Sequence, residues 1–183
     1  MTDRELLDRL RQGDRDAFDA VFRAHYATLV GVAERIAGER AVAEELAQDV
    51  MLELWRRHET LTVDESLRAY LVRAARNRAL NHLRHERMKV RTAPRAAGKT
   101  VTLPDAPRSL AEAEIDAAVR QAVDSLPERC REVFELSRGQ GLRYAEIASA
   151  LGISVKTVEA QMGKALRVLR ERLGPWLPGG EPG

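Results

Sequence analysis

The chain has 183 residues, room for one medium domain or two small ones, and its 44% hydrophobic and 32% charged residues exclude wholesale disorder. A single cysteine, Cys130, excludes a disulfide framework and a thiolate metal cage, and no apolar run approaches the roughly 18 residues that span a bilayer. The net charge of +2 conceals blocks: residues 1–66 carry −6, 67–100 carry +9, 101–128 carry −4 and 129–173 carry +4, so partners of different sign are expected at different places.

Nearly every element reads as helix. The start, Met1 to Glu5, is mixed in charge with no apolar signal core behind it, so a cytoplasmic protein without membrane insertion is expected. Thr2 with Glu5 three residues on predicts a capping box. Asp14 predicts the cap of a longer helix, in which Phe18, Val21, Phe22, Tyr26, Leu29, Val32 and Ile36 recur at steps of three and four, and Gly38 its end. Val42, Leu46, Val50 and Leu54 define a third helix ending near His58. Asp64 or Ser66 starts a fourth, carrying Leu67, Leu71, Ala74, Ala75 and Leu83 inward. On its other side fall Arg73, Arg76, Asn77, Arg84 and Arg87, at about 100° per residue. Guanidinium groups suit phosphate, and Asn77 and Asn81, one turn apart, suit base edges; a merely solvated basic helix has the same spacing.

From Val90 to Ser109 the periodicity stops, broken by Pro94, Gly98, Pro104 and Pro107. Residues 91–109 read as a flexible linker, and the Pro- and Gly-rich residues 174–183 as a disordered tail. Between them Leu110 reopens a helical pattern, and Pro127 sits at the start of another helix. The expected fold is all-α: two small helical domains, 1–90 and 110–173, joined by the linker.

The sharpest local signal is the run from Tyr144 to Val158, YAEIASALGISVKTV. A short helix, a turn containing Gly152 and a second helix capped by Ser154 make a helix-turn-helix, with Ile147, Ala148, Leu151, Ile153 and Val158 as its small core. Val155, Val158, Met162, Leu166, Leu169 and Leu173 form the inward face of the second helix. Lys156, Thr157, Glu159, Ala160, Gly163 and Lys164 are left outward, where the major groove would lie.

Three stretches together resemble the sigma-70 family of bacterial RNA polymerase sigma factors, in its smallest, extracytoplasmic-function (ECF) type. They are Ala43 to Trp55, an acidic helix with a Gln and a terminal Trp; Tyr70-Leu71 through Ala75-Arg76-Asn77 to Leu83-Arg84; and Leu126-Pro127-Glu128-Arg129 on through Gly141-Leu142 and Tyr144 to Leu169. Their order and spacing cover about residues 15–89 and 110–172. The resemblance implies that Glu45, Gln48, Asp49 and Leu52 dock on the largest subunit of core RNA polymerase. It implies that Arg73, Arg76, Asn77, Asn81, Arg84 and Arg87 capture the −10 element of promoter DNA, and that the six outward residues of the C-terminal helix read the −35 element. The linker would thread toward the polymerase active cleft. No catalysis and no cofactor are implied, and control would come from a separate anti-sigma factor. There are departures: Tyr70 stands where Trp is frequent, which keeps an aromatic, and Asn81 where Asp is frequent, so the −10 preference is not transferred. Glu159 and Gly163 replace basic or bulky residues, which likewise bars transfer of a −35 consensus.

Two other classes compete. An autonomous helix-turn-helix regulator would bind duplex DNA without polymerase, although residues 1–66 resemble neither a ligand pocket nor a heptad seam. A metal-dependent nuclease would use Glu44, Glu45, Asp49 and Glu53, but no histidine joins them at ligand spacing.

Overall fold

The structure, a computed structural model, describes residues 2–64, 66–90 and 109–176. Every regular element among these residues is helical, as the all-α reading expected. The helices form two compact units, one holding the first four and the other most of the rest.

Local chemistry starts each helix of the first unit. In α1 (Asp3–Arg11) the Thr2 hydroxyl accepts from the Glu5 N–H at 3.3 Å and the Glu5 carboxylate accepts from the Thr2 N–H at 2.8 Å, a complete capping box. In α2 (Arg15–Ala37) Asp14 Oδ1 accepts from the N–H groups of Asp16 and Ala17, at 2.9 and 3.3 Å. Its other oxygen accepts from Arg9 Nε at 2.7 Å, which pins the end of α1 to the start of α2. Gly38 ends α2 at φ +78°, a left-handed conformation in which a Cβ would be strained. Next come α3 (Arg40–Arg56) and a 3₁₀ turn, His58–Thr60, so the third helix stops two residues short of His58. The fourth, α4 (Leu67–Val90), takes Ser66 rather than Asp64 as its starting side chain: Ser66 Oγ accepts from the Ala69 N–H at 3.4 Å.

α2 packs on both α3 and α4, and α3 packs on α4. Leu29, Leu54, Leu67 and Leu71 are sealed in this core, each stabilising it by roughly 1.5–3 kcal/mol relative to exposure. The core reaches only part-way along α4, for Ala79 is the last buried residue and none is buried from Asn81 to Val90. Leu83, expected to face inward, is only partly covered.

The second unit opens with α5 (Leu110–Asp124). Ser109, which the sequence reading leaves in the linker, is the N-cap of α5 in a second capping box with Glu112. Pro127 stands one residue earlier than expected, as the N-cap of α6 (Glu128–Phe134), where its missing N–H leaves no donor unsatisfied. A π turn, Glu135–Gly139, follows α6. Then come α7 (Tyr144–Leu151) and α8 (Val155–Leu173). Ala122, Leu126 and Cys130 close on Ala165 and Leu169 of α8, with the Cys130 thiol 2.8 Å from the Gln161 side-chain carbonyl. Gly174–Trp176 form a short 3₁₀ turn where the sequence reading begins a disordered tail. Residues 177–183, and the linker from 91 to 108, lie outside the described residues.

Candidate nucleic-acid interface

Gly152 builds the turn between α7 and α8. At φ +66° it reverses the chain, so that the Ile153 N–H reaches the Ala148 carbonyl at 3.0 Å. Ser154 Oγ then accepts from the Thr157 N–H at 3.0 Å and starts α8. Ile147, Ala148 and Val158 are buried and Leu151 and Ile153 half-buried, which is the small core expected of a helix-turn-helix.

Lys156, Thr157, Glu159, Ala160, Gly163 and Lys164 are all exposed on α8. Thr157 has a second task, since its hydroxyl lies 2.8 Å from Ser154 Oγ in the helix cap. Arg167, also exposed, falls on the same side of the helix and continues the cationic face. One expectation fails here. Val155 is about 43% exposed, because it stands in the first turn, ahead of the covered stretch that begins at Val158. Ala165 takes the inward place instead.

In the first unit α4 carries Arg73, Asn77, Asn81, Arg84 and Arg87 exposed and Arg76 partly buried. Its last turns are exposed on most sides, Met88 and Val90 included. Lys89 pairs with Glu86 at 3.3 Å, and His85 Nδ1 donates to the Asn81 carbonyl at 2.8 Å. Asn77 and Asn81 share a groove of about 320 Å³ between α3 and α4, with Tyr70 and Arg78 from α4, Glu53 from α3 and Arg57 from its C-cap. Spacing along α4 missed Arg78 and Tyr70, since the groove exists only once α3 is packed alongside. An aromatic two turns before a pair of asparagines was the available signal.

The acidic face of α3 presents Glu45, Gln48, Asp49 and Leu52, all exposed, with Leu52 at 49%. Gln48 Nε2 donates to Tyr26 Oη at 3.4 Å, and Tyr26 stacks on Phe22 with ring centroids 4.5 Å apart. Beside this face runs a second groove, of about 460 Å³, lined by Phe18, Phe22, Trp55 and Leu52 among others. Phe18 and Phe22 belong to the apolar period of α2; both are half-buried and line this groove. Asp49 lies 3.9 Å from Arg78, Glu53 pairs with Arg57 and Glu44 with Arg40, so three of the four acids weighed as metal ligands face cations. Among the described residues no three His, Cys, Asp or Glu stand close enough to hold a metal ion, and no helix is long and apolar enough to cross a membrane.

Residues 21–88 match the sigma-70 region 2 model and residues 116–169 the sigma-70 region 4 model. The ECF RNA polymerase sigma factor SigK of Mycobacterium ulcerans is 32% identical, over 92% of this chain and 91% of its own length. The chain is a member of the sigma-70 family, of ECF type. A further relative of this sigma factor is the RNA polymerase sigma-H factor of Pseudomonas aeruginosa, 27% identical over 96% of this chain and 95% of its own. Among solved structures, CnrH in complex with the cytosolic domain of CnrY is similar with a TM-score of 0.66 and 25% identity, covering 93% of the sigma factor and 96% of CnrH. Membership over both regions makes the chain a transcription initiation factor and displaces the autonomous regulator.

Proposed function

We propose that the sigma factor works as a dissociable specificity subunit, docking on core RNA polymerase through α3 and meeting promoter DNA at α4 and α8. The observation that carries this reading is the exposure of opposite charge on two packed helices: Glu45 and Asp49 on α3, Arg73, Arg84 and Arg87 on α4. Gln48 and Leu52 complete the docking face, whose exposed leucine offers an apolar anchor inside a polar rim. On α4 the arginines hold phosphates and set register, while Asn77 and Asn81, beside the groove under Tyr70, read the −10 bases of the opened strand. On α8 the first turns enter the major groove of the −35 duplex. Lys156 and Lys164 take phosphates there, and Glu159 can accept from a cytosine amino group.

Synthesis belongs to the polymerase in this reading, so the sigma factor has no catalysis of its own, needs no cofactor and acts in the cytoplasm. Control falls to a separate anti-sigma protein. The solved complex of the similar CnrH with a second protein, CnrY, supports a partner of that kind. The test is co-purification of the tagged chain with core polymerase, followed by run-off transcription on genomic fragments. Stoichiometric binding with new promoter-specific transcripts is expected. A Gln48→Ala, Asp49→Arg double variant should keep its fold and lose the core. Binding of that variant to the core at wild-type affinity would overturn the docking assignment.

A further inference from the structure

Asp49 belongs to two faces at once. It is exposed on the α3 docking face, and its carboxylate also lies 3.9 Å from Arg78 Nη1 on α4. Arg78 lies outside the arc of Arg73, Asn77 and Arg84 on its own helix, yet it lines the α3–α4 groove together with Tyr70, Asn77 and Asn81. Among the residues lining that groove it is the cation that α4 supplies. The other cation lining the groove, Arg57, is the C-cap of α3 and is neutralised by Glu53, one turn back in that helix. Arg78 is neutralised instead across helices, by a residue of the docking face. At 3.9 Å that contact is a charge attraction without a hydrogen bond, and both side chains are more than a third exposed, so the contact is easily given up.

We propose that Arg78 is a further strand-binding residue of the α3–α4 groove, and that Asp49 restrains it until a basic partner on the docking face takes the carboxylate. This rests on the proposed roles of α3 and α4. In the free chain the Asp49 carboxylate screens the guanidinium from a phosphate. Once the carboxylate is engaged from the other side, Arg78 turns to the strand beside Asn77 and Asn81. Core docking and strand capture are then linked through one ion pair, and the linkage is reciprocal.

The experiment uses the full-length chain without polymerase and a fluorescein-labelled single strand, dT15, titrated by anisotropy from 20 to 200 mM salt. Asp49→Asn should tighten binding about two- to four-fold, the size expected for releasing one exposed ion pair. In the Asp49→Asn chain, where Arg78 is released, adding Arg78→Gln should abolish that gain and flatten the salt slope by about 0.7, one phosphate contact on a single strand. The proposal is overturned if Asp49→Asn gives no gain, if the gain persists with Arg78→Gln, or if Arg78→Gln leaves the slope of the Asp49→Asn chain unchanged. Co-purification of Arg78→Gln with the core tests the docking reading apart from this one: lost core binding would implicate the docking face, whereas normal core binding with an unchanged slope overturns only the role of Arg78.

Discussion

Asp14 shows how much one side chain can organise. It caps α2, and its second oxygen accepts from Arg9 Nε at 2.7 Å, so the Arg9 guanidinium and then the Ala17 N–H hold its carboxyl below the ordinary aspartate range. Glu5 is lowered in the same direction, by the Thr2 backbone N–H first. A carboxyl whose pKa is lower in the folded chain than in the unfolded one stabilises the fold above the ordinary carboxylate range and loses that contribution as pH falls through the lowered value. Asp14→Asn keeps a capping oxygen and removes the charge. Melting curves at pH 7 and pH 3 should therefore show a smaller loss of Tm for the variant than for the wild type. Gly163 makes the opposite case. It sits mid-helix on the outward face of α8, and a Cβ there would meet nothing within 4 Å. Gly163→Ala should raise the stability of the C-terminal unit by about 0.5–1 kcal/mol through helix propensity alone. If α8 enters the major groove there, the same variant should transcribe less from its promoters despite melting higher. Unchanged run-off yield would place the close approach elsewhere on the helix.

At the scale of elements, α4 is two helices in one. Its first half is built into the core by Leu67, Leu71, Val72 and Ala75, whereas no residue from Asn81 to Val90 is fully buried. Contacts made by the first half are close to the groove and its asparagines, and contacts made by the second half are arginines in open solvent. Substitutions should separate accordingly. Arg84→Ala and Arg87→Ala should each lower the salt slope of promoter binding by about one unit and weaken all sequences alike. Asn77→Ala should instead reduce promoter opening more than duplex binding, read as permanganate reactivity of the −10 thymines. Equal reactivity in variant and wild type would remove Asn77 from strand capture.

For the whole molecule the question is how two small units act together on one promoter. Each unit presents a modest set of contacts, and binding two of them through one chain makes the second event intramolecular, with an effective concentration set by the connection between them. If the segment between Val90 and Ser109 is a flexible tether, doubling its length with Gly and Ser should lower promoter-specific run-off by about three-fold, following the −3/2 power of length. Complete loss of transcripts on that insertion would show a fixed spacer instead.

Much of this was legible in the residues themselves, because the signals are local. Capping at Thr2, Asp14 and Ser154, the left-handed glycines 38 and 152, and a 3.6-residue apolar period depend on neighbours within a turn or two, and they placed seven helix starts to within about two residues. The outward faces of α4 and α8 followed from the same period: the six residues named on α8 are exposed, and so are Arg73, Asn77, Arg84 and Arg87 on α4, whereas Arg76 is partly buried. Ser109 escaped because the prolines before it masked a capping box that reads forward into Glu112. The grooves escaped for a deeper reason. Phe18 and Phe22 look like core residues along α2, and Arg78 looks like a stray charge along α4, until α3 packs against both helices and decides what is covered. A period assigns a residue to a side of its own helix. Only the neighbouring helix determines whether that side becomes core, groove or open surface, and so which polar groups meet.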